Sequence, residues 1–524
     1  MNDLSQRIAT LSPERFFLLK KRLQSEGIDI QNLQSGLKDA GENEYPPLEP
    51  AEEKEYYPLT SVQKRLFAIH QFESAGTVYN VYSIKLLEGP LDKNQVAYAF
   101  KTIVTRHETF RTSFISIAGE PVQRVYKPKD TVFEINYLEV DLNPDSPGTR
   151  PFVEGFIKPF DLSKAPLLRV LLVKLSDGKH ILMYDTHHII ADGNSKGILA
   201  GEFLALYNGH EFPGLKFQYK DFSVWQQNER VRAAIKRQES YWLKEFKGDV
   251  PMLHLPTDYP RPGQKNYEGN SLPFKIAKIE TTSLKKLALK TNSTLFTILL
   301  SIYNVLLAKI SRQEDIIIGI PAAGRGHAGL NHIIGMFVNT LALRNFPTSE
   351  IPFEDFVNQV KKRTLDVFEN QDYPFEDLVN KVVKQRDMSR NPIFDVFFSF
   401  NYPGVINGES PWGSNLEKTS ALKIKSYESE VPLSMFDLFL SGMEVEEELL
   451  LGFTYAAKLF KKETLIRFAG YLRDIVSAVA QDNRVALKDI KISHDLGMAA
   501  SKILQDEYNE NNENDENDEN DFGF

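Results

Sequence analysis

The chain contains no cysteine, which excludes disulfides, thiolate metal sites and cysteine nucleophiles. Its N-terminus lacks a charged-then-apolar leader, so nothing points to secretion and the expected setting is cytoplasmic. No uninterrupted apolar run reaches membrane length. The longest, Leu295 to Ile310, is broken by Ser301, Asn304 and Lys309 and follows an Asn292-Ser293 cap signal, so it reads as a buried core helix. Positive charge is not in excess either. The formal net charge is −9, and residues 505–524 hold nine Asp and Glu with no Lys or Arg, leaving a nearly neutral body that gives no argument for nucleic acid, which usually asks for a basic face.

What is present is an ordinary globular composition, 42% hydrophobic and 25% charged over 524 residues, enough for two to four domain-sized units. The chain is organised around Met183 to Ser195. Leu168–Leu175 and Lys179–Thr186 are Leu-, Ile- and Val-rich runs separated by Ser176-Asp177-Gly178, the pattern of a tight antiparallel hairpin. After it, Ile198, Leu199, Phe203, Leu206 and Tyr207 recur at helical spacing. His187 and His188 therefore fall where a strand runs out, and Asp192-Gly193 falls where a helix begins. A helix N-terminus offers unpaired N–H groups and partial positive charge, so a base beside it makes a minimal acyl-transfer site. Two other readings stand beside this one: a structural histidine, or a metal site using His188 and Asp192. The second lacks the third ligand that zinc catalysis usually needs.

The remaining chain divides as follows. Residues 1–38 form a helical segment with Phe16, Phe17, Leu19 and Leu23 on one face, either packed on its own domain or docking an upstream partner. Residues 39–56 are Pro-rich and acidic, hence a linker. A first α/β unit spans 57–225, a charged helix connects over 226–250, and a second α/β unit spans 251–492. Residues 493–524 form an acidic tail of disordered composition.

Seven segments in order resemble those of condensation domains of nonribosomal peptide synthetases, over roughly residues 55–490. They are Ser61 to Leu66, Arg106 to Phe114, His187 to Gly193, Tyr219 to Trp225, Ile334 to Thr340 with Arg344, Asn370 to Glu376, and Arg386 to Asp395. The resemblance implies two chloramphenicol-acetyltransferase-like α/β sandwich lobes forming a V-shaped pseudo-dimer with a tunnel between them. It implies that 4′-phosphopantetheine arms enter from an upstream donor and a downstream acceptor peptidyl carrier protein, and that the acceptor amine attacks the donor thioester. No cofactor is bound covalently and no metal is expected. On this analogy His188 contacts the amine and Gly193 lends an N–H to the oxyanion. His187 turns to the scaffold, Asp192 pairs with Arg344, and Asn339 and Ser195 line the tunnel. The wording around His187–Ser195 and Ser61–Leu66 resembles the subtype joining an L-donor to an L-acceptor, with a lipid-initiating subtype close to it. Asp521-Phe522-Gly523-Phe524 resembles the seam before an adenylation domain, an expected neighbour. A catalytically silent carrier-docking scaffold is the reading from another class, disfavoured by the presence of His188. A serine hydrolase is set aside on the expectation that the chain holds no Gly-x-Ser-x-Gly elbow.

Overall fold

The computed structural model describes residues 45–71, 76–141, 155–176, 178–401, 422–427 and 433–492. The expected helix of residues 1–38 and the tail of 493–524 lie outside them.

The first half runs β1 (Tyr57–Pro58), α1 (Ser61–His70), β2 (Asn80–Glu88), α2 (Lys93–Arg106), β3 (Thr112–Ile117), β4 (Glu120–Val125), β5 (Asn136–Glu139), β6 (Leu168–Lys174), β7 (His180–His187), α3 (Gly193–Tyr207), α4 (Tyr219–Trp225) and α5 (Glu229–Glu245). The second runs β8 (Gly269–Ile276), α6 (Lys278–Lys290), α7 (Leu295–Ser311), β9 (Ile316–Ala322), β10 (Asn339–Asn345), α8 (Phe353–Glu369), α9 (Phe375–Val382), β11 (Val396–Asn401), β12 (Lys423–Ser426), β13 (Leu438–Val445), β14 (Glu448–Ala456) and α10 (Lys462–Gln481).

Local signals start these elements. Thr60 and Gln63 form a reciprocal capping box at α1, each side chain bonded to the other's backbone N–H. Gly178, at φ +81°, turns β6 into β7, and the two strands pair from Leu168 opposite Thr186 to Lys174 opposite His180. The long apolar helix α7 is capped by Thr294, one residue beyond the Asn292-Ser293 signal, and buries twelve side chains. No single helix among the described residues is long and apolar enough to cross a membrane; α6 and α7 pass only as a pair bent by 107°.

Two main sheets result, ordered β12-β2-β7-β6-β5 and β10-β9-β11-β13-β14-β8, with a small third sheet β1-β4-β3. The two halves of the sequence do not fold as two closed units. Strand β12 crosses over and pairs antiparallel with β2. Leu330, Ile333, Ile334, Met336 and Phe337 pack into the first lobe's core beside Leu199, Phe203 and Tyr219. Conversely, Trp242 of the connecting helix α5 joins the second lobe's core and donates its indole N–H to Asn370 O at 2.9 Å. The expected linker is strapped down over residues 45–56. Trp225 donates to Pro46 O, the Ala51 N–H to Asp221, and Lys220 Nζ lies 2.6 Å from Glu53.

Candidate active site

Strand β7 is buried along its whole length and delivers two histidines to opposite sides. His187 is turned inward, 3% exposed, with Tyr79, Phe160 and His70 around its ring. Its Nδ1 accepts the Ile189 N–H at 3.1 Å, and burial drives its pKa down to about 3. His188 is half-buried and faces a chamber of about 770 Å³. Its Nδ1 lies 2.7 Å from Ala191 O. A carbonyl can only accept, so Nδ1 carries the hydrogen and Nε2 presents the lone pair. Burial lowers the pKa of this imidazole too, keeping it in the neutral, accepting form at pH 7.

The next residues start α3. Gly193 and Asn194 occupy its first turn and line the same chamber, where backbone N–H groups lack intrahelical partners. A Cβ at Gly193 would meet no atom within 4 Å, so the chamber space it would fill is left to whatever binds.

Asp192 caps this helix. It accepts from Ser195 N at 2.8 Å and Phe337 N at 3.2 Å, and pairs with Arg325 at 3.1 Å, with the two side chains 2% and 6% exposed. The expected partner, Arg344, is elsewhere. It sits on β10 and holds Asp315 through two bonds of 2.9 and 2.6 Å, paired within the second lobe. Arg325 also donates to Leu330 O and Ile333 O at 2.6 and 2.7 Å, and its guanidinium stacks 4.1 Å above Phe337. One residue thus ties α3 to the second-half segment completing the first lobe. Its signal was Gly324-Arg325-Gly326: at Gly324, φ is +65°, and a Cβ would lie 1.9 Å from Phe337 O.

The two tunnel candidates are also displaced from the chamber. Asn339 donates to Gln371 O and Tyr373 O at 2.7 and 2.9 Å; its neighbours Val338 and Thr340, on the other face of the chain, line the chamber instead. Ser195 is 1% exposed, with Oγ 2.7 Å from Asp192 and accepting the Gly335 N–H at 3.1 Å. Contrary to the expectation that no nucleophile elbow occurs, Gly193-Asn194-Ser195-Lys196-Gly197 has its spacing. Geometry excludes that role, because Ser195 is buried inside the third position of a helix and spent on structural bonds. No group of three metal-ligating side chains comes together among the described residues.

Sequence reasoning missed most of the chamber wall, which includes Tyr79, Phe296, Phe368, Phe394, Phe397, Phe436 and Phe439. A second cavity of about 960 Å³ shares Arg65, Tyr79, Asn391, Pro392 and Phe394 with it, so a cavity with many charged residues on its wall adjoins the apolar chamber.

A family model described as "Condensation domain" matches residues 53–500. The chain belongs to the condensation-domain family. This condensation domain is 42% identical over 93% of its length to Gramicidin S synthase 2 of Brevibacillus brevis, of which it spans 11%. It superposes on the X-domain from teicoplanin biosynthesis with a TM-score of 0.75 at 22% identity, covering 86% of this chain and 100% of that one. The first condensation domain of the calcium-dependent antibiotic synthetase, solved with a substrate analogue, gives 0.67 at 18% identity over 84% and 99%. The fold is that of two chloramphenicol-acetyltransferase-like α/β lobes, each a mixed sheet flanked by helices.

Proposed function

We propose that this condensation domain forms an amide between an acyl or peptidyl thioester on an upstream carrier protein and the amine of an aminoacyl thioester on a downstream one. The observation that carries it is the Nε2 lone pair of His188 facing the chamber beside the first turn of α3. The acceptor nitrogen attacks the thioester carbonyl carbon, the N–C bond forms, and the carbonyl oxygen gains negative charge. The proton shed by nitrogen passes to His188 Nε2 as the C–S bond breaks, and the departing sulfur takes it up. The Gly193 N–H at the α3 terminus supports the oxyanion, and Asp192 with Arg325 holds that terminus in place. Demands on the base are small. An α-amine has a pKa of about 7.7–8.0, so much of it is already neutral at pH 7, and tethering both reactants removes most of the bimolecular entropy cost.

The 4′-phosphopantetheine arms are reactants carried by the partners. The adjoining cavity and the chamber suit them, the first with charged residues on its wall and the second largely apolar beside His188. An adjacent adenylation domain, a cytoplasmic setting and the L-donor/L-acceptor subtype belong to the same proposal; likeness to a synthase of which this chain spans only 11% supports the first of them, a neighbouring domain. The test is to load two excised carrier proteins and follow dipeptidyl thioester by mass spectrometry. His188→Ala should cut its formation by about 10²–10⁴-fold at unchanged melting temperature. Equal inertness of wild type and variant across well-loaded pairs would point to the scaffold reading.

A further inference from the structure

The wall of the reaction chamber differs in kind from that of the cavity beside it. The adjoining cavity is lined by Lys64, Lys384, Arg386, Asp377 and Asp387 among others. In the chamber, the charged side chains are Arg65 and Asp192, and both are engaged, with Glu376 at 2.8 Å and with Arg325.

The apolar wall is built by strand alternation. On β11, Val396 and Phe398 are fully buried in the second lobe's core, so Phe397, Ser399 and Asn401 face the other way and line the chamber. Phe439 on β13 pairs with Phe397 in register. Phe436 stacks on Phe397 at 4.4 Å and 10°, and Phe439 meets Phe397 edge-on at 5.4 Å. Three rings thus form one packed surface with Ser399 as a small polar gap beside it. These side chains are only partly buried by the protein itself, so a bound group would complete their burial.

We infer that the Phe397–Phe436–Phe439 wall makes this domain selective for a large apolar side chain on one of the two residues it joins, and selects against charged ones. The inference rests on the proposed amide-forming reading of the same chamber. A carboxylate or ammonium set against the three rings gives up water and finds no hydrogen-bond partner among them, whereas a ring or branched chain gains contact area. Rejection of a mere added hydroxyl should be weak, because an apolar wall discriminates poorly against it.

The test uses unreactive pantetheine amides and calorimetric titration of the whole chain. Phenylalanyl and tyrosyl amides should bind within about threefold of each other and the aspartyl amide at least about tenfold more weakly. The series is run with free amines, to represent the acceptor, and with N-acetyl groups, to represent the donor, so that the arm showing the preference identifies the residue being read. Ser399→Asp should raise the lysyl amide's affinity relative to the phenylalanyl amide by at least about tenfold, a gain that misfolding cannot mimic. Equal affinities across the wild-type series would overturn the inference, as would an octanoyl amide outbinding every aminoacyl one, which assigns the chamber to a fatty acyl group. The two readings separate cleanly. Selective binding without dipeptide formation removes the reaction and keeps the wall's preference; dipeptide formation at equal rates from apolar and charged pairs does the reverse.

Discussion

His187 and His188 are neighbours whose protons sit on opposite nitrogens, because one ring accepts a backbone N–H through Nδ1 and the other donates to a carbonyl through Nδ1. That difference assigns one to the scaffold and one to the chamber. It also makes His187 a pH liability. Its pKa is about 3 in the folded chain against 6.5 for an ordinary imidazole, so between those values the unfolded chain binds the extra proton and stability falls as pH drops. From pH 7 to pH 5 the loss is about 2 kcal/mol. The stability gap between wild type and His187→Gln should therefore narrow by that amount in urea titrations at the two pH values; a constant gap would mean the ring is not held neutral. Asp192 carries a second residue-scale prediction. Asp192→Ala and Arg325→Ala should each cost about 3–5 kcal/mol, since each leaves a buried charge unpaired. The double variant should recover part of that cost, whereas Asp192→Ala with Arg344→Ala should add within about 0.5 kcal/mol. Coupling to Arg344 instead would reverse the pairing.

At the scale of elements, the Ile334–Thr340 motif divides into two jobs. Asn339 and Thr340 open strand β10, while Ile334 to Phe337 form a plug in the first lobe's core. The plug closes on Tyr219 of α4, whose hydroxyl donates to Met336 O at 2.6 Å and whose ring meets Phe337 at 4.9 Å. Gly335 is required by this closeness, because a Cβ there would stand 2.0 Å from the Tyr219 ring. Gly335→Ala should lower stability by about 1–3 kcal/mol, read as a fall in melting temperature, because the ring is fixed and cannot yield. It should slow condensation as well, since the Gly335 and Phe337 N–H groups bond to Ser195 and Asp192 at the start of α3. An unchanged melting temperature would mean the plug is loosely seated.

Over the whole molecule, the chamber exists because the lobes are tied by exchanged pieces. Strand β12 sets Ile424 opposite Leu87 and Lys425 opposite Leu86 on the first lobe's sheet. Neighbouring residues in a strand aim their N–H groups at opposite edges, so prolines at both Ile424 and Lys425 must remove at least one ladder bond. Hydrogen exchange of the peptide covering 80–88 should quicken by at least about tenfold in that double variant. Unchanged protection would show that β12 is not part of the tie. The sequence alone determined the β6–β7 hairpin, the α7 core helix, the histidine pair at a strand end and the helix that follows it. Those features rest on caps, turns and periodicities that act within a few residues. Its family likeness supplied the fold and pointed to His188 and Gly193. Only the tertiary structure decided that Arg325 rather than Arg344 meets Asp192, 133 positions away, that Ser195 is sealed, that Asn339 turns from the chamber, and that phenylalanines from β11, β13 and their approaches make its wall. Such partners meet through sheet register and lobe exchange, and no local spacing encodes which strand will lie beside which.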